Sequence, residues 1–131
     1  MPQLTTSLSD KAVMYKYTKL VNLRPGQDIN VYGYILRYAG PFKTRGSDFC
    51  MSLTIIDDTS PRLQDGPPNA IPIQIFHPDP TRFPKITNVG DVIQLRHIRV
   101  QRYKDTMQGL SMKYTAFTVF TKGPTGDWVA E

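Results

Sequence analysis

The chain carries one cysteine, Cys50, in 131 residues. An internal disulfide is excluded, and with it the small secreted disulfide scaffold, so the chain reads as intracellular. Cys50, His77 and His97 lack the spacing of a zinc site. No apolar run approaches the roughly 20 residues of a spanning helix, and the N-terminus has no signal-peptide core. No metal and no membrane partner is expected. There is no glycine-rich phosphate loop and no serine–histidine–acid arrangement in a readable context. Asp57 and Asp58 are adjacent at a strand end, where side chains diverge, and read as turn caps rather than a catalytic carboxylate pair. Catalysis has no support in these residues: no enzyme and no cofactor is expected. Internal repeats, low-complexity tracts and a nuclear-localisation cluster are also missing.

What is present favours strands. Eleven prolines, nine glycines and frequent β-branched residues suit one all-β domain with long loops. Residues 1–14 are polar and aperiodic and read as a disordered lead-in. Residues 15–23 form an extended or helical segment leading into the domain. A first strand is expected over 28–38, with Ile29, Val31 and Ile35 on one face and a bulge or bend at Gly33. A second, over 48–57, turns Met51, Leu53 and Ile55 inward. Residues 58–69 read as a loop. A third strand, over 70–77, buries Ile71, Ile73 and Ile75 and points Gln74 and Phe76 outward, with Pro72 marking an edge or bulge. A short helical or irregular segment follows, punctuated by Pro80 and Pro84. In a fourth strand, over 91–102, the apolar phase slips between Leu95 and Ile98, which predicts a bulge at Arg96-His97. A fifth is expected over 113–121, and residues 123–131 read as a tail with Trp128 docking back. Cys50 reads as buried filler.

The charge is distributed unevenly. The net charge of +5 is a weak signal, but Arg96, Arg99, Arg102 and Lys104 cluster, as do Arg37, Lys43 and Arg45. Each cluster adjoins an expected loop that also carries a ring and polar groups. The first runs Gly40-Pro41-Phe42-Lys43-Thr44-Arg45-Gly46-Ser47-Asp48. The second runs Arg102-Tyr103-Lys104-Asp105-Thr106-Met107-Gln108-Gly109-Leu110-Ser111. Rings that stack on bases, cations for phosphate and polar groups for base edges are the equipment of a single-strand binder. Five strands, a bent first strand and an insertion between the third and fourth suggest a five-stranded Greek-key barrel, the OB-fold. Its binding face uses the second and third strands and the loops after the first and fourth. Asp48 is an acid in a basic loop. A carboxylate suits the N1–H and N2–H donors of guanine, and closing the turn after Gly46-Ser47 is the alternative.

These residues resemble the N-terminal OB-fold of the protection-of-telomeres and telomere end-binding protein alpha family. The matching stretches are Asn30-Val31-Tyr32-Gly33, Lys43 through Cys50, Ile55-Ile56-Asp57, Ile75-Phe76, Arg102-Tyr103-Lys104 and Gln108-Gly109-Leu110-Ser111. The resemblance covers about residues 15–121, and its strength lies in their order and spacing. It implies binding of the G-rich 3′ single strand of telomeres, with Phe76 and Tyr103 stacking on bases. It places Ser47, Asp48 and Gln108 as polar contacts, Arg45 and Lys104 as basic contacts, and Phe42 at an aromatic position of vertebrate members. Ala39 departs, standing where vertebrate members have a lysine. With Gln74 and Arg99 from the outward faces, and Leu110 from the last matching stretch, these make the candidate DNA-binding set. Residues 15–122 are the expected binding domain, in a nuclear protein of the telomeric chromosome region. The resemblance implies that this is a fragment, with other capping proteins meeting C-terminal regions beyond it. A general single-strand binder of the replication type and an OB-fold protein-interaction module remain alternatives.

Overall fold

The computed structural model describes residues 15–60 and 70–130. The expected lead-in over 1–14 and most of the loop before residue 70 lie outside these residues. The described residues include six strands: β1 (Asp28–Lys43), β2 (Phe49–Ile56), β3 (Ile71–His77), β4 (Val92–Tyr103), β5 (Thr106–Lys122) and β6 (Trp128–Ala130). Their order is β3-β2-β1-β4-β5-β6, and an additional β3–β5 pairing closes the first five into a barrel. All neighbours are antiparallel except at that seam, where Ile73 and Gln74 run parallel to Gly109 and Leu110. This is the five-stranded barrel the sequence predicts.

Alternation builds the core. The inward positions Val31, Ile35, Leu53, Ile55, Ile73, Ile93, Leu95, Ile98 and Val100 are fully buried. Each contributes about 1.5–3 kcal/mol by leaving water. The phase slip in β4 is a real bulge: Arg96 pairs with Ala116 but Ile98 with Ser111, and His97 has a φ of 63°. The extra residues lie on β5, where Thr115 Oγ1 donates to the His97 carbonyl at 2.6 Å and accepts from the Met112 amide at 2.6 Å. β5 is thereby split into halves that face different neighbours, β3 beside the first and β6 beside the second. β1 is longer than expected, and it pairs first with β4 and then with β2. Two of its three register shifts flank Gly33, between Ile29 and Val31 and between Ile35 and Arg37, and the third lies between Ala39 and Phe42. Gly33 itself marks close approach: a Cβ there would lie 2.7 Å from the Ile56 carbonyl oxygen.

Among the described residues, the end of the barrel is plugged without an α-helix. A single 3-10 turn, Leu20–Asn22, buries Leu20, and Phe83 is buried from the irregular segment between β3 and β4, edge-on to His77. Asp57 is the turn cap the sequence suggests. Its carboxylate accepts from the Leu20 amide at 2.8 Å and from the Thr59 amide and hydroxyl at 2.8 and 2.6 Å. Asp58 pairs with Lys19 at 2.8 Å, and this hydrogen bond holds the Asp58 carboxyl below its ordinary value.

Besides the longer β1, two segments differ from the sequence reading. Residues 106–112, expected as a loop, are the first half of β5. Gly109 reads as turn punctuation, but it sits inside the strand because nothing larger fits: its Cβ would lie 2.6 Å from Ile73 Cδ1 and 2.8 Å from Ile98 Cγ2. Residues 123–131, expected as a tail, include β6, which pairs with Phe120–Lys122 and brings Trp128 within 6.2 Å of the Tyr34 ring.

Gly109 therefore sets how closely β5 approaches β3. Gly109→Ala overpacks the seam and is expected to destabilise the domain by about 1–3 kcal/mol. Denaturant unfolding of the variant against wild type measures this.

Candidate nucleic-acid interface

Cross-strand pairing arranges the outward side chains in rows. One row reads Phe42–Cys50–Phe76 across β1, β2 and β3. The next reads Ala39–Ser52–Gln74–Leu110–Arg99–Asp28, from β1 across the seam to β4 and back to β1. Gln108 and Gln101 pair one rung further along. Phe42 and Phe76, at 63% and 40% exposure, are ring surfaces open to solvent. Neighbouring strands are about 4.8 Å apart, so these rings, the Gln74 amide and the Leu110 side chain share one continuous strip.

The β1–β2 loop stands at one end of this strip. Thr44 organises it: its amide and hydroxyl both donate to the Asp48 carbonyl, at 3.1 and 2.6 Å. Its hydroxyl oxygen accepts from the Gly46 amide at 3.2 Å. Lys43 Nζ donates to the Gly46 carbonyl at 3.2 Å and lies 5.1 Å from the Phe49 ring centre. The turn is thus closed by the main chain of Asp48, and its carboxylate has no protein partner among the described residues. Ser47 and Arg45 are exposed beside it, likewise without partners among those residues.

The β4–β5 hairpin stands at another side of the strip. It is tighter than the expected loop: Tyr103 pairs directly with Thr106, leaving Lys104 and Asp105 as a two-residue turn. Tyr103 is 52% exposed, and Lys104 Nζ lies 5.5 Å from its ring centre, so ring and cation form one unit. Lys104 has a φ of 56°, the left-handed region that favours glycine. Gln108 lies within β5, opposite Gln101, and is not a turn residue.

Two other candidates are engaged by the protein itself. Arg99 forms an ion pair with Asp28, donating from both Nε and an Nη. That bond holds the Asp28 carboxyl below its ordinary range. Gln74 Oε1 accepts from Ser52 Oγ at 2.8 Å and from Cys50 Sγ at 3.2 Å. Cys50 is half-buried on the outer row, not core filler, because β2 alternates and its inward positions are Met51, Leu53 and Ile55. Partial burial pushes its thiol pKa up, which keeps it an S–H donor.

The family model described as "Telomeric single stranded DNA binding POT1/CDC13" matches residues 11–130. The chain belongs to this family. Among individual relatives it is similar to protection of telomeres protein 1 of Mus musculus, 30% identical over 106 residues, which cover 81% of this chain and 15% of the relative. It is also similar to the Homo sapiens protein of the same name, 29% identical over 109 residues, covering 83% and 16%. The chain thus spans about a sixth of the length of the curated relatives it matches. Among solved structures, fission yeast Pot1 with single-stranded DNA superposes with a TM-score of 0.67 at 19% identity, over 79% of this chain and 34% of that one. A replication protein A heterotrimer bound to single-stranded DNA reaches 0.64 at 12% identity, over 87% and 27%. Both share the fold.

Against this POT1/CDC13 framework, sequence reasoning located both clusters but missed the parts that support them. Cys50 and Ser52 carried no signal of their own; only the β2–β3 register places them beside Gln74. The bulge in β5 presents Tyr114, 74% exposed, which read as an ordinary strand residue. A second ring-rich groove of about 660 Å³ lies on the other halves of the long strands, lined by Tyr15, Tyr32, Tyr34, Arg96 and Trp128 among others. Arg96 stacks on Tyr15 there, 4.7 Å from its ring centre.

The hairpin geometry makes a prediction of its own. Lys104→Gly removes a cation and also relieves a left-handed backbone, so the variant is expected to be more stable by about 1 kcal/mol. Thermal or denaturant unfolding checks it; a clear loss of stability would contradict the turn geometry.

Proposed function

We propose that this domain binds the G-rich 3′ single strand of telomeric DNA across the outer face of β2, β3 and the adjoining halves of β4 and β5. The observation that carries this reading is a continuous strip of exposed rings and polar side chains, bounded by two loops whose cations form no ion pair among the described residues, in a chain of the POT1/CDC13 family. Phe42, Phe76 and Tyr103 stack on bases, and Leu110 packs between them. Arg45 and Lys104 neutralise phosphates. Arg99 contributes less charge because Asp28 already offsets it. Ser47, Asp48, Gln74 and Gln108 meet base edges. The domain acts by occupancy, not catalysis: a covered end is closed to nucleases and telomerase. The whole protein works in the nucleus at chromosome ends, and its other capping partners meet regions outside this chain.

A replication-type binder would have the rings and cations but no need of Asp48. A carboxylate near phosphates is unfavourable unless it gains hydrogen bonds. The turn does not need it, because the Asp48 carbonyl closes the loop. Guanine N1–H and N2–H are the donors that fit.

Phe76→Ala and Tyr103→Ala are each expected to weaken oligonucleotide binding by about 1–3 kcal/mol. Their solvent exposure means that the melting temperature should hardly move; unchanged binding in both variants would place the strand elsewhere. Asp48→Ala is expected to weaken binding to a G-rich repeat by about 1.5–3 kcal/mol. It should also narrow the preference for guanine over inosine, which lacks the N2 amine, at the contacted position. Tighter binding of Asp48→Ala to every oligonucleotide would mean that the carboxylate only repels phosphate.

A further inference from the structure

Gln74 sits at the middle of the strip with its carbonyl end held. Ser52 Oγ lies 2.8 Å and Cys50 Sγ 3.2 Å from its Oε1, and both come from the strand next to it, where Ser52 is its direct cross-strand partner. An amide oxygen has two lone pairs, and a hydroxyl and a thiol bring one hydrogen each. The two donors therefore fill the oxygen. The reverse orientation would set an N–H against a thiol sulfur, a weak acceptor. What remains for a ligand is the Nε2 amide group, two donors and no acceptor, with no protein partner among the described residues.

We infer that Ser52 and Cys50 are positioning residues that lock Gln74 as a donor-only reader, so that the base over this rung is selected for a keto oxygen. Guanine O6 and thymine O4 accept, whereas adenine and cytosine present an amine at the corresponding position. Two donors facing an amine leave both sides unpaired, and unpaired buried donors are costly. This selection is separate from that at Asp48, which accepts. Together they fix opposite polarities at two points of one strand, so a sequence in the wrong register is rejected at one of them. The inference rests on the proposed strip being the binding face.

Base exchange tests it. In a G-rich telomeric oligonucleotide, each guanine is replaced in turn by 2,6-diaminopurine, and each thymine by 5-methylcytosine. Both exchanges turn the keto oxygen into an amine and the neighbouring ring N–H into an acceptor. The guanine read by Asp48 loses its N1–H and should bind more weakly in wild type and Gln74 variants alike; at one other position wild type should lose about tenfold in affinity, the scale of a lost hydrogen bond that strands its partner. Gln74→Leu should bind the keto and amine oligonucleotides there about equally, with its melting temperature retained. Gln74→Glu replaces the donors by an acceptor and should reverse the preference at that position. Ser52→Ala should shrink the wild-type ratio, and Ser52→Thr, which keeps the hydroxyl, should preserve it. A Gln74→Leu or Gln74→Glu protein that keeps the wild-type ratio at every position overturns the reader. A Ser52→Ala protein with an unchanged ratio overturns the positioning role. If wild type binds the G-rich strand no better than a scrambled one, the telomeric reading itself has failed, and that outcome is distinct from the others.

Discussion

The strip depends on the closeness of one seam. β5 comes up against β3 at Gly109, where a single methyl group would lie inside contact distance of Ile73 and Ile98. That approach joins Gln74 to Leu110 and makes one surface from strands far apart in sequence. The same closure ends the exposed β3 edge, which would otherwise invite pairing with another chain. Pro72, opposite Thr54 of β2, lies just before the seam.

Because the barrel interior is filled by branched aliphatic residues, the outer positions are free for other chemistry. The bulge at His97 and the excursion at 112–115 divide the long strands, so that one half carries the strip and the other carries the groove around Tyr34 and Trp128. In the proposed mode, binding across the strip divides into physically different parts. Rings contribute sequence-tolerant stacking, and cations contribute attraction that weakens with salt. In that proposal, selection falls to the few groups whose hydrogen-bonding polarity is fixed in advance: the Asp48 carboxylate, freed because its carbonyl closes the turn, and the Gln74 amide.

Much of the fold was legible because alternation is a strong signal. Ile73 and Ile75 against Gln74 and Phe76, or Leu95 giving way to Ile98, declare faces and a bulge without knowledge of partners. The first half of β5 was not legible, since Gln108-Gly109 looks like a turn when the neighbour that demands the glycine is 36 residues away in sequence at Ile73. β6 was hidden for a similar reason: three residues, with a pairing partner in β5, carry no period. Both ring-and-cation clusters could be read from composition alone. The engagement of Arg99 by Asp28 and of Gln74 by Ser52 and Cys50 could not, because these contacts depend on register, which no local pattern encodes.

The most direct measurement is chemical-shift mapping of the isotope-labelled domain during titration with a G-rich telomeric single strand. Saturable shifts are predicted along Cys50–Ser52, Gln74–Phe76, the 44–48 loop and the Tyr103–Leu110 hairpin, and a scrambled strand of equal length should produce them only at higher concentration. Shifts confined to the groove around Tyr15, Tyr34 and Trp128, with the strip unchanged, would contradict the account.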